Sequence, residues 1–101
     1  MIKHNNIVMT PIVNGYLDQH SFLKTVIAAV SRYLESPLSH KYHHVSFHRI
    51  DNALHVLNED EKLLYKLGEY FAGVTDLPED LVLWLITDSD GTITLLTPDE
   101  Y

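Results

Sequence analysis

The stretch HHVSFHRIDNALHVL, residues 43–57, constrains this chain more than any other part, because apolar residues alternate on both sides of a short polar break. Val45 and Phe47 alternate with Ser46 and His48, and Leu54 and Val56 flank His55, which is the period of half-buried strands. Asp51 and Asn52 fill the break, and both residue types tolerate the left-handed backbone of a two-residue hairpin loop. Closing the loop there fixes a register in which Ile50 meets Ala53, Arg49 meets Leu54, His48 meets His55 and Phe47 meets Val56. Val45, Phe47, Leu54 and Val56 then share an apolar face, with His44, Ser46, His48 and His55 on the other. The competing reading is a helix over residues 51–57.

Other elements follow from the same kind of argument. Residues 6–13, NIVMTPIV, are apolar and β-branched enough for a first strand, with Pro11 consigning that end to an edge or a bulge. Asp18 is a candidate N-cap for a helix whose stripe is Phe22, Leu23, Val26, Ile27, Val30, Tyr33 and Leu34, and Ser36-Pro37 stops it. Asn58 with Glu61 three residues on has the form of a capping box, predicting a second helix with Leu63, Leu64, Leu67, Tyr70 and Phe71 inward and Gly73 at its end. VLWLI, residues 82–86, is apolar on both alternating faces, as in a central strand, and residues 88–91 turn into a last strand over residues 92–97.

The fold class expected is therefore α+β, a ferredoxin-like β-α-β-β-α-β two-layer sandwich with an extra C-terminal strand. A chain of 101 residues suits one domain, residues 1–101. It holds no apolar run long enough for a membrane span, and its first residues lack the profile of a secretory signal. Cysteine is absent, which removes disulfides, thiolate metal sites and thiol nucleophiles and fits a cytoplasmic location.

The formal net charge of −7 conceals a division. Residues 1–50 carry five Lys or Arg against two acids, a balance of +3, and residues 51–101 carry twelve acids against Lys62 and Lys66, a balance of −10. An acidic half suits a basic partner or a mimic of nucleic acid, and its sign disfavours direct grip on nucleic-acid phosphate.

Five histidines, His40, His43, His44, His48 and His55, fall within sixteen residues. On a strand, His44 and His48 lie about 13 Å apart, too far to share one ion. His48 and His55 face each other across the hairpin about 5 Å apart at Cβ, which is close enough to chelate, but two ligands are too few for a closed zinc site. The expected default is a set of polar histidines on a solvated sheet face.

Within LITDSDGTITLL, residues Asp88, Asp90, Gly91 and Thr92 after an apolar strand resemble the DxDGT nucleophile motif of haloacid dehalogenase-like hydrolases. The resemblance implies Asp88 as nucleophile, Asp90 as acid/base and magnesium beside them. It covers about ten residues, and that family draws its other catalytic groups from a long chain after the motif, whereas nine residues follow Thr92 here. A tight turn accounts for Asp-Ser-Asp-Gly equally well. No nucleophile elbow, phosphate loop or HExxH motif is present.

The sequence thus points to a small acidic, non-catalytic binding protein without a cofactor, an inhibitor or antagonist of a basic partner protein. Glu79, Asp80, Asp88 and Asp90 are its candidate binding residues. The alternative is a ferredoxin-like homodimer that binds a metal ion or small ligand through His44, His48 and His55.

Overall fold

The computed structural model describes residues 2–4, 7–67 and 76–100. They form a mixed α+β arrangement of seven strands and two α-helices: β1 (Ile2–His4), β2 (Ile7–Met9), α1 (Pro11–Gln19), α2 (Leu23–Glu35), β3 (His44–Ile50), β4 (Ala53–Leu57), β5 (Leu63–Leu67), β6 (Val82–Thr87) and β7 (Ile93–Leu96). The strands make one sheet of order β1-β2-β7-β6-β3-β4-β5. Only the β2/β7 pairing is parallel among the described neighbours.

The hairpin forms as its alternation predicts. Phe47 pairs with Val56, His48 with His55, Arg49 with Leu54 and Ile50 with Ala53. Asp51 takes the left-handed backbone, at φ +54°. A β-branched residue there clashes with its own carbonyl, so Asp51→Val is expected to destabilise the protein by about 1–2 kcal/mol. Thermal unfolding of the variant measures this, and an unchanged midpoint would place the reversal elsewhere.

One sheet face carries the core. Ile7, Met9, Val45, Phe47, Leu54, Val56, Leu83, Leu85 and Leu95 are buried in one cluster with Val13 and Leu17 of α1 and Val26, Ala29, Val30 and Tyr33 of α2. The predicted stripe of α2 is the face that packs, and Phe22, Leu23, Ile27 and Leu34 complete it half-buried. Ser36 ends the helix in extended backbone ahead of Pro37, as the proline requires.

Three expectations are corrected. The first strand is shorter than residues 6–13, because Thr10 caps a helix. Its hydroxyl accepts from Val13 N at 3.3 Å and Pro11 occupies the first helical position, where a missing N–H costs nothing. Asp18 therefore lies in the last turn of α1 rather than capping α2, and Ser21, at φ +63°, reverses the chain between the helices.

The second correction is larger. No helix begins at Asn58: the Asn58 side chain accepts from Asp60 N (2.9 Å) and Lys62 N (3.0 Å), a local turn that competes with a helical start. Glu61 sits at φ +62°, and residues from Leu63 continue as β5 against β4. Gly68, Tyr70, Phe71 and Gly73 lie outside the described residues.

The third follows from the second. Both helices lie against one face, but they succeed each other between β2 and β3, and the last strand lies inside the sheet between β2 and β6. The strand order departs from the ferredoxin-like plan.

Candidate functional site

Alternation along the central strands puts Val82, Trp84 and Ile86 of β6, and His44, Ser46 and His48 of β3, on the face opposite the helices. Register brings Ser46 beside Trp84, His48 beside Val82 and His44 beside Ile86. These side chains are half-buried.

A groove of about 440 Å³ opens there, floored by His44, Ser46, His48, Val82 and Trp84. One wall is the β4–β5 turn, with Asn58, Glu59 and Glu61, and the other includes Pro98. The imidazole of His44 stands edge-on to the Trp84 indole, ring centres 4.9 Å apart, and its Nδ1 is 3.6 Å from Glu59 Oε1. That separation is an electrostatic contact rather than a hydrogen bond. A smaller hollow of about 270 Å³ continues past His44 and Glu59 to Lys41, Tyr42, His43 and Asp60.

His48 Nε2 lies 3.1 Å from Ser46 Oγ. Burial pushes the His48 pKa down, against the pull of Glu61 and with the push of His55, so its ring favours the neutral form. Because the folded value is lowered, the stability tied to it is present above the ordinary 6.5 and lost as pH falls through the lowered value.

The groove wall at Pro98 is fixed from below by a carboxylate. Glu100 Oε1 accepts from Thr97 N (3.0 Å), Thr97 Oγ1 (3.0 Å) and Thr10 Oγ1 (2.9 Å), tying the turn Pro98–Glu100 to the cap of α1. Burial raises the Glu100 pKa, but these hydrogen bonds outweigh it and hold the carboxyl below its ordinary value.

The candidate binding acids are not brought together. Glu79 and Asp80 precede β6 and Asp88 and Asp90 follow it, so about 20 Å of strand separates the two pairs. Glu79 is exposed beside Arg49, its Oε1 4.0 Å from Nη1. Asp88 and Asp90 build the β6–β7 turn: Gly91 N donates to Asp88 O, and Asp90 Oδ1 accepts from Thr92 N at 2.9 Å. Bonds from Thr92 lower the Asp90 pKa, and Gly91 supplies the turn's φ of +89°. The DxDGT-like residues thus form a hairpin turn.

His48 and His55 do face each other, and His44 lies farther along β3. Among the described residues no group of three His, Asp or Glu side chains is placed to hold a metal ion. Trp84 and Glu59 are not among the candidate site residues read from the sequence, and Glu61 enters there only as part of a helix cap. Alternation in VLWLI does set Trp84 apart from Leu83 and Leu85, but its neighbours come from β3 and a distant turn.

Among the described residues no helix is long and apolar enough to cross a membrane. No protein-family model, curated protein or solved structure matches this chain.

Proposed function

We propose that this chain is a non-catalytic binding protein that takes a basic segment of a partner protein on the open face of its sheet, and so antagonises whatever that segment otherwise contacts. The observation that carries the reading is the groove beside Trp84, whose rim holds Glu59 and Glu61 and whose lining contains no Lys or Arg. Asp60 extends the same acidic edge into the adjoining hollow. Opposed charge steers a basic segment to this edge, and the half-buried aromatic and imidazole rings give it apolar surface to cover. The absence of cysteine suits a reducing compartment, and we place the interaction in the cytoplasm.

An array of short peptides, basic and acidic at matched length and hydropathy, tests this. Basic peptides are expected to be retained preferentially, with retention weakening as salt shortens the screening length below about 8 Å. Equal retention of basic and acidic peptides, or retention insensitive to salt, would overturn the reading.

A further inference from the structure

We propose that the groove seats a single arginine side chain, with the guanidinium against the Trp84 indole and within reach of the Glu59 and Glu61 carboxylates. This rests on the basic-segment reading and goes further by naming the anchor. Three features converge on it.

The groove has the chemistry of a cation receptor. An indole attracts cations through its negative face, and carboxylates beside it supply the counter-charge. Both line the same groove, on β6 and on the turn after β4, and the His44 ring is 4.9 Å from the indole and its Nδ1 3.6 Å from Glu59 Oε1.

Among the described residues no Lys or Arg lines the groove itself, Lys41 lying in the adjoining hollow with Glu59 and Asp60. Arg49 points to the opposite face, where its Nη1 donates to Leu77 O at 3.1 Å, and neither Lys62 nor Lys66 lines the groove. The groove lining therefore holds no Lys or Arg, and the basic group nearest the rim acids within it is the His44 imidazole, 3.6 Å from Glu59.

The aromatic ring and the rim acids favour arginine over lysine. A planar guanidinium is weakly hydrated and stacks on aromatic rings while its donors fork to carboxylates, whereas an ammonium is a strongly hydrated point charge. The turn that offers Glu59 and Glu61 is itself held by the Asn58 carboxamide, so the acids stand on a braced support.

The chain contains one tryptophan, so its fluorescence reports this groove directly. Hexaarginine, hexalysine and hexacitrulline are titrated against the full chain, with emission and calorimetry read together. Hexaarginine is expected to shift Trp84 emission saturably and to bind about tenfold or more tighter than hexalysine, with no shift from hexacitrulline. Glu59→Gln with Glu61→Gln, both at exposed positions, is expected to weaken hexaarginine about tenfold or more while the circular dichroism spectrum is unchanged. Heat of binding without any change in Trp84 emission would overturn the anchor and leave the basic-segment reading standing. Equal binding of hexalysine, or of the double variant, would likewise overturn the arginine seat. No binding by any basic peptide would overturn both.

Discussion

Phe47→Ala is expected to cost about 3–5 kcal/mol, the usual loss when a large aromatic is cut from a packed core. Phe47 is 2 % exposed and meets Tyr33 of α2 edge-on, ring centres 5.9 Å apart, so it joins the hairpin to the helix layer at one point. The loss is a large share of the roughly 5–15 kcal/mol that holds a domain of this kind together. In urea the midpoint should fall by about 2 M for an m-value near 1.5–2 kcal/mol per M. Ile50→Ala is the matching control. Ile50 lies on the same strand but outward and 41 % exposed, and should cost under about 1 kcal/mol. Equal losses at the two positions would mean that the strand is not registered as described, because a slip of one residue exchanges the faces.

Alkaline pH should weaken the same junction. Burial, with the nearby Tyr42, pushes the Tyr33 pKa from 10.0 to about 12, because an anion at this site loses its water. The side chain is 1 % exposed, and its hydroxyl donates to Leu38 O (3.4 Å) and Tyr42 O (3.3 Å). A raised value for an acid means that the unfolded chain releases its proton first. The stability tied to Tyr33 is therefore whole below pH 10 and is lost as pH rises toward about 12. The loss is on the order of 2–3 kcal/mol, at about 1.4 kcal/mol per pKa unit. Tyr33→Phe removes the titrating group at a cost of about 1 kcal/mol for its hydrogen bonds. Urea unfolding at pH 9, 10 and 11 should show wild type falling faster than Tyr33→Phe. Parallel decline of the two proteins would show that Tyr33 is not the group responsible.

Both results depend on elements that are legible in the sequence alone. Alternation and the tolerant Asp51-Asn52 pair specify the hairpin, and the three-and-four spacing from Phe22 to Leu34 specifies the inner face of α2. Both are short-range patterns set by backbone period and one turn. The start of α1 was also written locally, in Thr10-Pro11, although Pro11 alone reads as readily as a strand breaker. The histidines faced each other as expected, but a cross-strand pair is not a metal site without further ligands.

The β5 segment shows where such legibility ends. Leu63, Leu64 and Leu67 fit a helical stripe, and Asn58 with Glu61 fits a cap. The Asn58 side chain closes a turn instead, and Tyr65 and Leu67 pair with Val56 and Leu54 on β4. An unpaired β4 edge offers a row of backbone donors and acceptors, and satisfying them outweighs a weak helical preference.

The sequence by itself determined the hairpin register, the buried side of α2, the turn at residues 88–91 and an acidic second half. Tertiary structure alone decided that residues 63–67 extend the sheet, that β7 inserts between β2 and β6, and that Trp84 meets His44 and the Glu59 turn. The first set rests on neighbours a few residues apart, whose spacing fixes which way each side chain points. The second rests on backbone hydrogen bonds between segments tens of residues apart, and no local period records which distant edge a strand will satisfy.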